Sequence, residues 1–228
     1  MINLPVMKGH CQTLITCALK NNKGIITDRE KRRFHTMDLD KAIAHLNTAL
    51  RCDFIVVDGI CGDLDFEEGG NPVYAGRMFA ARDPVLCDAW AAELMGYKTG
   101  DIPYIGLAEK LGVGRTGPAK ILELNKSAGA QQSFGSQLPQ SAGKVKKLSA
   151  YINDEKACSA CYAGLVFALS RLGRNELSRL GKISIGQGFI GKEGKTGVGQ
   201  CCDSFEASCS GCPPTGTDIL SFFKRILK

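Results

Sequence analysis

The sequence predicts an α/β protein with a largely parallel sheet flanked by helices, followed by a smaller cysteine-rich, metal-binding unit. Three observations lead to this fold class. Short apolar runs alternate with segments of helical periodicity over the first half of the chain, as in strands joined by crossover helices. The composition then shifts to Ser, Gln, Gly and Lys over residues 125–150, and six of the eleven cysteines follow that stretch. Hydrophobic residues at 44% and charged residues at 23% are ordinary values for a globular protein.

Apolar spacing and capping residues predict the elements of the first domain. Asp38 precedes an apolar face spaced i, i+4, i+7, i+11, and Asp83-Pro84 supplies an N-cap and a first-turn proline for another helix. The uninterrupted apolar run at 54–57 is typical of a strand buried on both faces. The predicted elements, in chain order, are a strand at 2–6, helices at 11–21 and 39–50, a strand at 54–57, a loop at 61–72, a strand at 77–81 and a helix from 84 to about 95.

The composition divides the chain into three parts. Residues 1–124 form the predicted α/β domain, residues 125–150 a linker, and residues 151–228 the cysteine-rich unit. In the last part we expect a helix at 155–172, a strand at 182–185 and a final helix from about Thr217. A unit this small has a thin core of its own, so we expect it to fold back onto the first domain.

Charge and hydropathy argue against several classes of partner. The net charge is +6, and the densest basic run, residues 29–33, contains an acid and no interleaved aromatic side chain, so no nucleic-acid partner is predicted. No apolar stretch reaches the roughly 20 residues that cross a bilayer. Residues 1–20 lack the apolar core and the cleavage site of a signal peptide. We therefore expect a cytoplasmic protein without a membrane partner.

The six late cysteines are the strongest chemical signal in the sequence. Cys158 and Cys161 fall at the start of a predicted helix, where positions i and i+3 share a face and the helix dipole favours thiolates. Cys212 precedes proline, a junction familiar from iron–sulfur ligation, and Cys201 directly follows a glycine-containing turn. We predict that Cys158, Cys161, Cys201 and Cys212 ligate a metal centre, with Cys202 and Cys209 as alternates.

The spacing of the cysteines leaves the identity of the metal open. An odd number of cysteines without a secretion signal argues against a disulfide framework. Four thiolates suit either a [4Fe–4S] cluster or a structural zinc ion. The number of candidate ligands and the Cys-Pro junction favour the cluster, and with it an electron-transfer protein or iron–sulfur oxidoreductase that has a redox partner protein. The alternatives are a zinc-stapled binding module without redox activity, and unliganded or redox-active thiols.

The N-terminal sequence carries several polar motifs in order. They are Asn3-Leu4-Pro5-x-x-Lys8-x-His10, Thr16-x-x-x-Lys20-Asn21-x-x-Gly24, His35, Val57-Asp58-Gly59-Ile60, Asp83-Pro84-x-x-x-Asp88-Ala89 and Leu94-Met95-Gly96. Together they resemble the signature of the domain-of-unknown-function 362 family over about residues 1–114. Some members also carry a Cys-x-x-Cys helix, a Gly-Gln-Gly-Phe loop and a terminal Gly-Cys-Pro-Pro, which residues 158–214 resemble.

This resemblance implies an iron–sulfur protein of the kind found in anaerobic microbes, and it implies no particular reaction. It also favours Cys201 over its neighbour as a ligand. The signature begins at Met1, whereas longer members carry a preceding α/β segment. We therefore expect that the chain lacks the N-terminal portion of the family.

Several side chains of the signature are cationic or donate hydrogen bonds, and none of them is a carboxylate. Such groups suit a small anionic ligand, a phosphate or a carboxylate. They are Lys8, His10, Lys20, Asn21 and His35. We expect Lys8, His10, Lys20 and His35 to line one solvent-open cleft near the C-terminal edge of the sheet, and Cys158 and Cys161 to face this domain. The alternatives are that they are surface residues and helix ends, or that the chemistry of an enzyme lies at Lys8, His10 and His35 beside a structural cluster.

Overall fold

The structure, a computed structural model, describes residues 1–66, 72–118 and 143–228 of the chain. The elements of its N-terminal part are β1 Ile2–Asn3, β2 Lys8–His10, β3 Leu14–Thr16, α1 Ala18–Asn21, α2 Asp28–Thr36, α3 Leu39–Thr48, β4 Phe54–Asp63, β5 Pro72–Ala81, α4 Pro84–Leu94 and α5 Pro103–Lys110. Those of its C-terminal part are α6 Gly143–Ser149, β6 Ile152–Asp154, α7 Ser159–Ser170, α8 Arg174–Leu180, β7 Ile183–Ile185, β8 Thr196–Val198, β9 Ala207–Cys209 and α9 Gly216–Ile226. The mixed α/β class is the one that the sequence predicts.

The two capped helices of the first domain begin where the sequence predicts. The Asp38 carboxylate accepts a hydrogen bond from the backbone N–H of Lys41 at the start of α3. The Asp83 carboxylate accepts from the N–H groups of Val85 and Leu86 at the start of α4. These bonds satisfy backbone donors that have no partner inside the helix, which is why Asp defines both boundaries.

The N-terminal sheet is not parallel throughout, which corrects where the predicted parallel sheet lies. Its strand order is β1-β4-β5; β1 runs parallel to β4, but β4 and β5 form a long antiparallel hairpin. The strands extend to Asp63 and resume at Pro72, well into the predicted loop at 61–72. A connection this short cannot carry the chain back for a parallel crossover, which needs about a dozen residues or more.

The core of the first domain lies between this sheet and the helices. Ile55 and Val57 on β4 are fully buried, whereas Phe54 and Ile60 face the opposite side and are exposed. The buried layer continues through side chains of α1, α3, α4 and α5, including Leu19, Ile43, Ala91 and Ile105. The β2–β3 ribbon, which carries the predicted ligand-binding residues Lys8 and His10, joins this core through Ile15.

The predicted helix at 11–21 is wrong except in its last turn. The chain instead forms the antiparallel ribbon of β2 and β3, with Lys8 opposite Thr16, followed by the short helix α1. The His10 side chain closes the turn, since its Nδ1 accepts hydrogen bonds from the backbone N–H groups of Gln12 and Thr13, both at 3.1 Å. This side chain-to-backbone bonding competes with helix formation in a way that apolar spacing does not reveal.

The parallel sheet is in the cysteine-rich unit. Strands β6, β7, β8 and β9 lie side by side in chain order, and all three pairings are parallel. Helices α7 and α9 cover the sheet with fully or nearly fully buried side chains, including Leu165, Leu169, Phe222 and Phe223. The predicted helix, strand and final helix of this unit correspond to α7, β7 and α9.

The predicted linker is only partly covered by the structure. Residues 125–142 lie outside the described residues. The remainder contains helix α6, whose Val145 and Leu148 pack against the core of the cysteine-rich unit. In the parts of the chain that the structure describes, no helix is both long enough and apolar enough to span a bilayer.

Asp88 on α4 anchors the start of α1 from within the core. Its two carboxylate oxygens accept hydrogen bonds from the backbone N–H groups of Ala18, at 2.6 Å, and Leu19, at 3.2 Å. Cys17 and Cys87 lie beside it, with the possible ligand atoms of all three buried residues within 4.8 Å of one another. Burial raises the pKa of the Asp88 carboxyl group to about 7, although the two backbone donors oppose this effect.

We expect Asp88 to make the free energy of unfolding fall as the pH rises from about 4 to about 7. An unfolded aspartate has a pKa of about 3.9, so in this interval the folded chain holds a proton that the unfolded chain has released. The slope is at most about 1.4 kcal/mol per pH unit. Urea unfolding of wild type and Asp88→Asn between about pH 5 and pH 8 measures the difference. Equal pH dependence in both proteins would contradict this assignment.

Candidate metal centre and adjoining basic cavity

Cys158 and Cys161 occupy the first turn of α7. Cys158 is the N-cap residue, with extended backbone angles, and Cys161 follows within the helix. Behind them α7 is anchored by fully buried Leu165, Val166 and Leu169. Both cysteines therefore project from a rigid element whose N-terminal dipole favours negative charge on sulfur.

Two loops bring Cys201 and Cys212 to the same region. The backbone N–H of Gly199 donates to the carbonyl of Cys209 at 2.9 Å, and that of Gln200 donates to the carbonyl of Gly211 at 2.8 Å, so the two loops are bonded side by side. Gly199 has a φ of +91°, and a Cβ there would lie 3.7 Å from the Cys161 sulfur. The glycine thus lets this loop take a left-handed conformation close to the helix that carries Cys161.

The four predicted ligands influence one another electrostatically. The pKa of the Cys161 thiol is raised to about 12, first by burial and then by the sulfurs of Cys158, Cys212 and Cys201. Burial, Cys201 and Cys212 likewise raise the pKa of Cys158, while Lys23 and Arg32 lower it. Four thiolates gathered in a half-buried site are unfavourable without a cation, and a bound metal reverses this balance by stabilising the deprotonated sulfurs.

The two alternates lie in apolar surroundings. Cys202 is fully buried, packs with Phe189 and Phe205, and donates from its sulfur to the carbonyl of Ser184 at 3.5 Å. Cys209 is buried in the core that β9 forms with α9. Both have the environment of small core hydrophobes rather than of open ligands.

No three of the six late cysteines, all of which lie in the described residues, have their sulfurs within 4.8 Å of one another. Tetrahedral zinc with Zn–S bonds of about 2.3 Å holds its sulfurs about 3.8 Å apart. Among the described residues, which include all six late cysteines, the only group of three possible ligand atoms within 4.8 Å is that of Cys17, Cys87 and Asp88. An iron–sulfur cluster, in which each iron atom carries its own thiolate, accommodates a wider spread. The donor set itself, four thiolates, suits either an iron–sulfur cluster or a zinc ion.

The predicted metal ligands open onto a large basic cavity between the two units. Its volume is about 710 Å³, within the roughly 300–1,000 Å³ range of small-molecule sites. Three of the four predicted cysteine ligands line it, together with four of the five predicted ligand-binding residues. These are Cys158, Cys161 and Cys212 with Lys8, Lys20, Asn21 and His35.

His10 is the predicted ligand-binding residue that does not line this cavity. Its side chain is 2% exposed, because its Nδ1 is held by the backbone of the β2–β3 turn. Cys201 is also absent from the lining, but it raises the pKa of Cys158, and Cys212 raises the pKa of Cys201.

Part of the cavity lining lies in a segment that matches a known protein family. Residues 1–93 match the model of the family described as Domain of unknown function (DUF362). This segment is therefore similar to DUF362 proteins, and the match covers less than half of the chain. The search of curated proteins and the search of solved structures returned no match. Lys8, Lys20, Asn21 and His35 lie inside the matched DUF362 region, and the late cysteines lie outside it.

Hydrogen bonds join the DUF362 region to the cysteine-rich unit beside the cavity. The Gln12 side chain donates to the carbonyl of Ala157 at 3.0 Å and accepts from the Ser159 hydroxyl at 2.9 Å. His35 Nε2 lies 3.2 Å from the Ser159 hydroxyl and 2.8 Å from Lys23 Nζ. Ser159 directly follows Cys158, so these contacts connect the first predicted cysteine ligand to the DUF362-like region.

Sequence reasoning missed several cationic side chains of the cavity. Lys23, Lys31 and Arg32 line it in addition to the predicted lysines. The one carboxylate in the described lining is that of Asp28, which lies 3.0 Å from Lys31 Nζ and whose pKa is lowered by that lysine. The basic run at 29–33 could have predicted them. If a helix begins at Asp28, residues 31, 32 and 35 lie on one face of it.

Proposed function

We propose that this protein binds an iron–sulfur cluster through Cys158, Cys161, Cys201 and Cys212 and transfers electrons to or from a small anionic ligand. The observation that carries the proposal is that three of these four cysteines and the cationic residues of the DUF362-like region line a single cavity. A ligand bound there would lie against the segment that carries the cluster. This arrangement suits an iron–sulfur oxidoreductase as well as an electron carrier.

The chemistry of the cysteine site supports a cluster over a zinc staple. Structural zinc sites are closed, with four ligands packed around one ion. Here Cys212 is exposed and Cys158, Cys161 and Cys201 are partly exposed, and no three of the late-cysteine sulfurs lie within 4.8 Å of one another. The cluster itself would supply one-electron transfer, and the four cysteines would hold it at the cavity wall.

The lining of the cavity supports an anionic ligand. Lys8, Lys20, Lys23 and Arg32 supply positive charge, and Asn21 supplies an amide. Lys20 is 6% exposed, so its ammonium group acts in surroundings less polar than water, where its attraction for an anion is stronger. Phosphates and carboxylates are the ligands that such donors bind.

All eleven cysteines have free thiols, which accords with the reducing conditions of a cytoplasm. We propose that the protein is cytoplasmic. We also propose that its organism is anaerobic, because an exposed iron–sulfur cluster survives without oxygen. The exposed edge at Cys212 and Pro213 offers a redox partner protein a short path to the metal centre. We propose no nucleic-acid partner for the basic surface, because the cationic side chains converge on a cavity rather than on an extended groove.

Anaerobic purification with metal analysis tests the proposal directly. We expect a brown protein with close to four iron and four sulfide ions per chain, and an electron paramagnetic resonance signal that develops on reduction with dithionite. A colourless protein with one zinc ion per chain would instead establish the zinc-stapled module. A protein that contains neither metal would contradict the proposal and indicate that the cysteines are unliganded or redox-active thiols.

A further inference from the structure

Gln187 lies where the two units and the metal centre meet. It begins the short turn Gln187–Phe189 that follows β7. The preceding residue, Gly186, has a φ of +121°, and a Cβ there would collide with the carbonyl of Glu155. Because only glycine fits, the turn packs tightly against residues 155–157, immediately before the first cysteine ligand.

The side-chain amide nitrogen of Gln187 has three acceptors within reach. It lies 3.1 Å from the carbonyl oxygen of Arg32 on α2, 3.4 Å from that of Lys156, and 3.5 Å from the sulfur of Cys158. All three are acceptors, so the amide nitrogen and not the amide oxygen faces them, and its two hydrogens are shared among the three. A single side chain thus joins a cysteine ligand to the helix that supplies Arg32 to the basic cavity.

We propose that Gln187 is a positioning residue that donates an N–H to the Cys158 thiolate and sets the reduction potential of the metal centre. This inference rests on the proposed function. A hydrogen bond to a ligand sulfur is stronger in the reduced state, since the added electron increases the negative charge on the sulfur. Gln187 therefore stabilises the reduced form, and its loss lowers the potential.

Replacing Gln187 by methionine tests this role, because methionine has a similar length and no N–H. We expect Q187M to bind iron and to show a tenfold lower ratio of reduced to oxidised protein at a fixed potential, a shift of about 59 mV for one electron. A redox titration followed by electron paramagnetic resonance measures it. If Q187M does not fold, Gln187→Glu keeps the size of the side chain but replaces the N–H donor by a negatively charged acceptor near the thiolate, and it should lower the potential further.

Gln12→Met is the matched control. It removes a glutamine whose side chain also joins the two units, but whose hydrogen bonds among the described residues go to Ala157 and Ser159 rather than to the Cys158 sulfur. We expect Q12M to keep the wild-type potential. A potential unchanged in both Gln187 variants, or shifted equally in Q12M, would overturn the role of Gln187. Absence of iron from the wild-type protein would instead overturn the proposed function, so the two failures are distinguishable.

Discussion

Replacing Cys161 by alanine is expected to lower the iron content of the protein at least tenfold. Cys161 projects from α7 toward Cys158, Cys201 and Cys212, whose sulfurs all act on its pKa. Removal of a direct ligand should cost more affinity than loss of an outer-shell partner, which typically costs 10–100-fold. Iron and sulfide analysis after anaerobic reconstitution, with visible absorption as a second measure, gives the result.

The neighbouring pair Cys201 and Cys202 supplies the matched control for this experiment. C201A should lose iron as C161A does, whereas C202A should keep it and lose only stability, because Cys202 is a buried side chain packed with Phe189 and Phe205. Cys212 and Cys209 form a second pair with the same expectation. Iron lost from C202A and retained in C201A would show that the ligand assignment is wrong.

Replacing Lys20 by methionine is expected to weaken anion binding about 10–100-fold. Methionine keeps most of the apolar stem of the buried side chain and removes its charge, and a hydrogen bond to a charged group is worth about 1.5–3 kcal/mol. Inorganic phosphate serves as one probe and succinate as the other, with calorimetric titration as the measurement. The anion that binds the wild-type protein more tightly shows whether the cavity prefers a phosphate or a carboxylate.

Lys41→Met is the control for the cavity experiment. Lys41 lies on α3, outside the cavity lining, and pairs with Asp38 at 3.2 Å on the surface. K41M should bind both anions like the wild type. Equal affinity of K20M and wild type, or equal weakening in K41M, would mean that the anions associate with the general positive charge of the protein rather than with this cavity.

The predictable parts of the fold are those that depend on local chemistry. Asp38 and Asp83 cap helices because their carboxylates reach backbone donors two or three residues ahead. Helix α7 with its two cysteines follows from apolar residues and the spacing of Cys158 and Cys161. The α/β class follows from the alternation of strand and helix patterns, and it is confirmed by the structure.

Strand pairing was not predictable in the same way. The apolar run at 54–57 is compatible with a parallel or an antiparallel neighbour, and the hairpin of β4 and β5 is decided by hydrogen bonds between strands. Likewise, apolar spacing at 11–21 is compatible with a helix. The chain forms the ribbon of β2 and β3 instead, and the His10 side chain stabilises its turn by accepting hydrogen bonds from two backbone N–H groups.

By itself, the sequence determined the class of the fold, the capped helices, the set of candidate cysteine ligands and four of the residues that line the basic cavity. Only the tertiary structure decided that Cys202 packs into a core while Cys201 lies near the other thiols, that His10 closes a turn, and that Lys23, Arg32 and Gln187 adjoin Cys158. The physical reason is the distance along the chain over which each effect acts. Helical period and capping act over a few residues, whereas these contacts join segments far apart in sequence, whose approach depends on the packing of the two units.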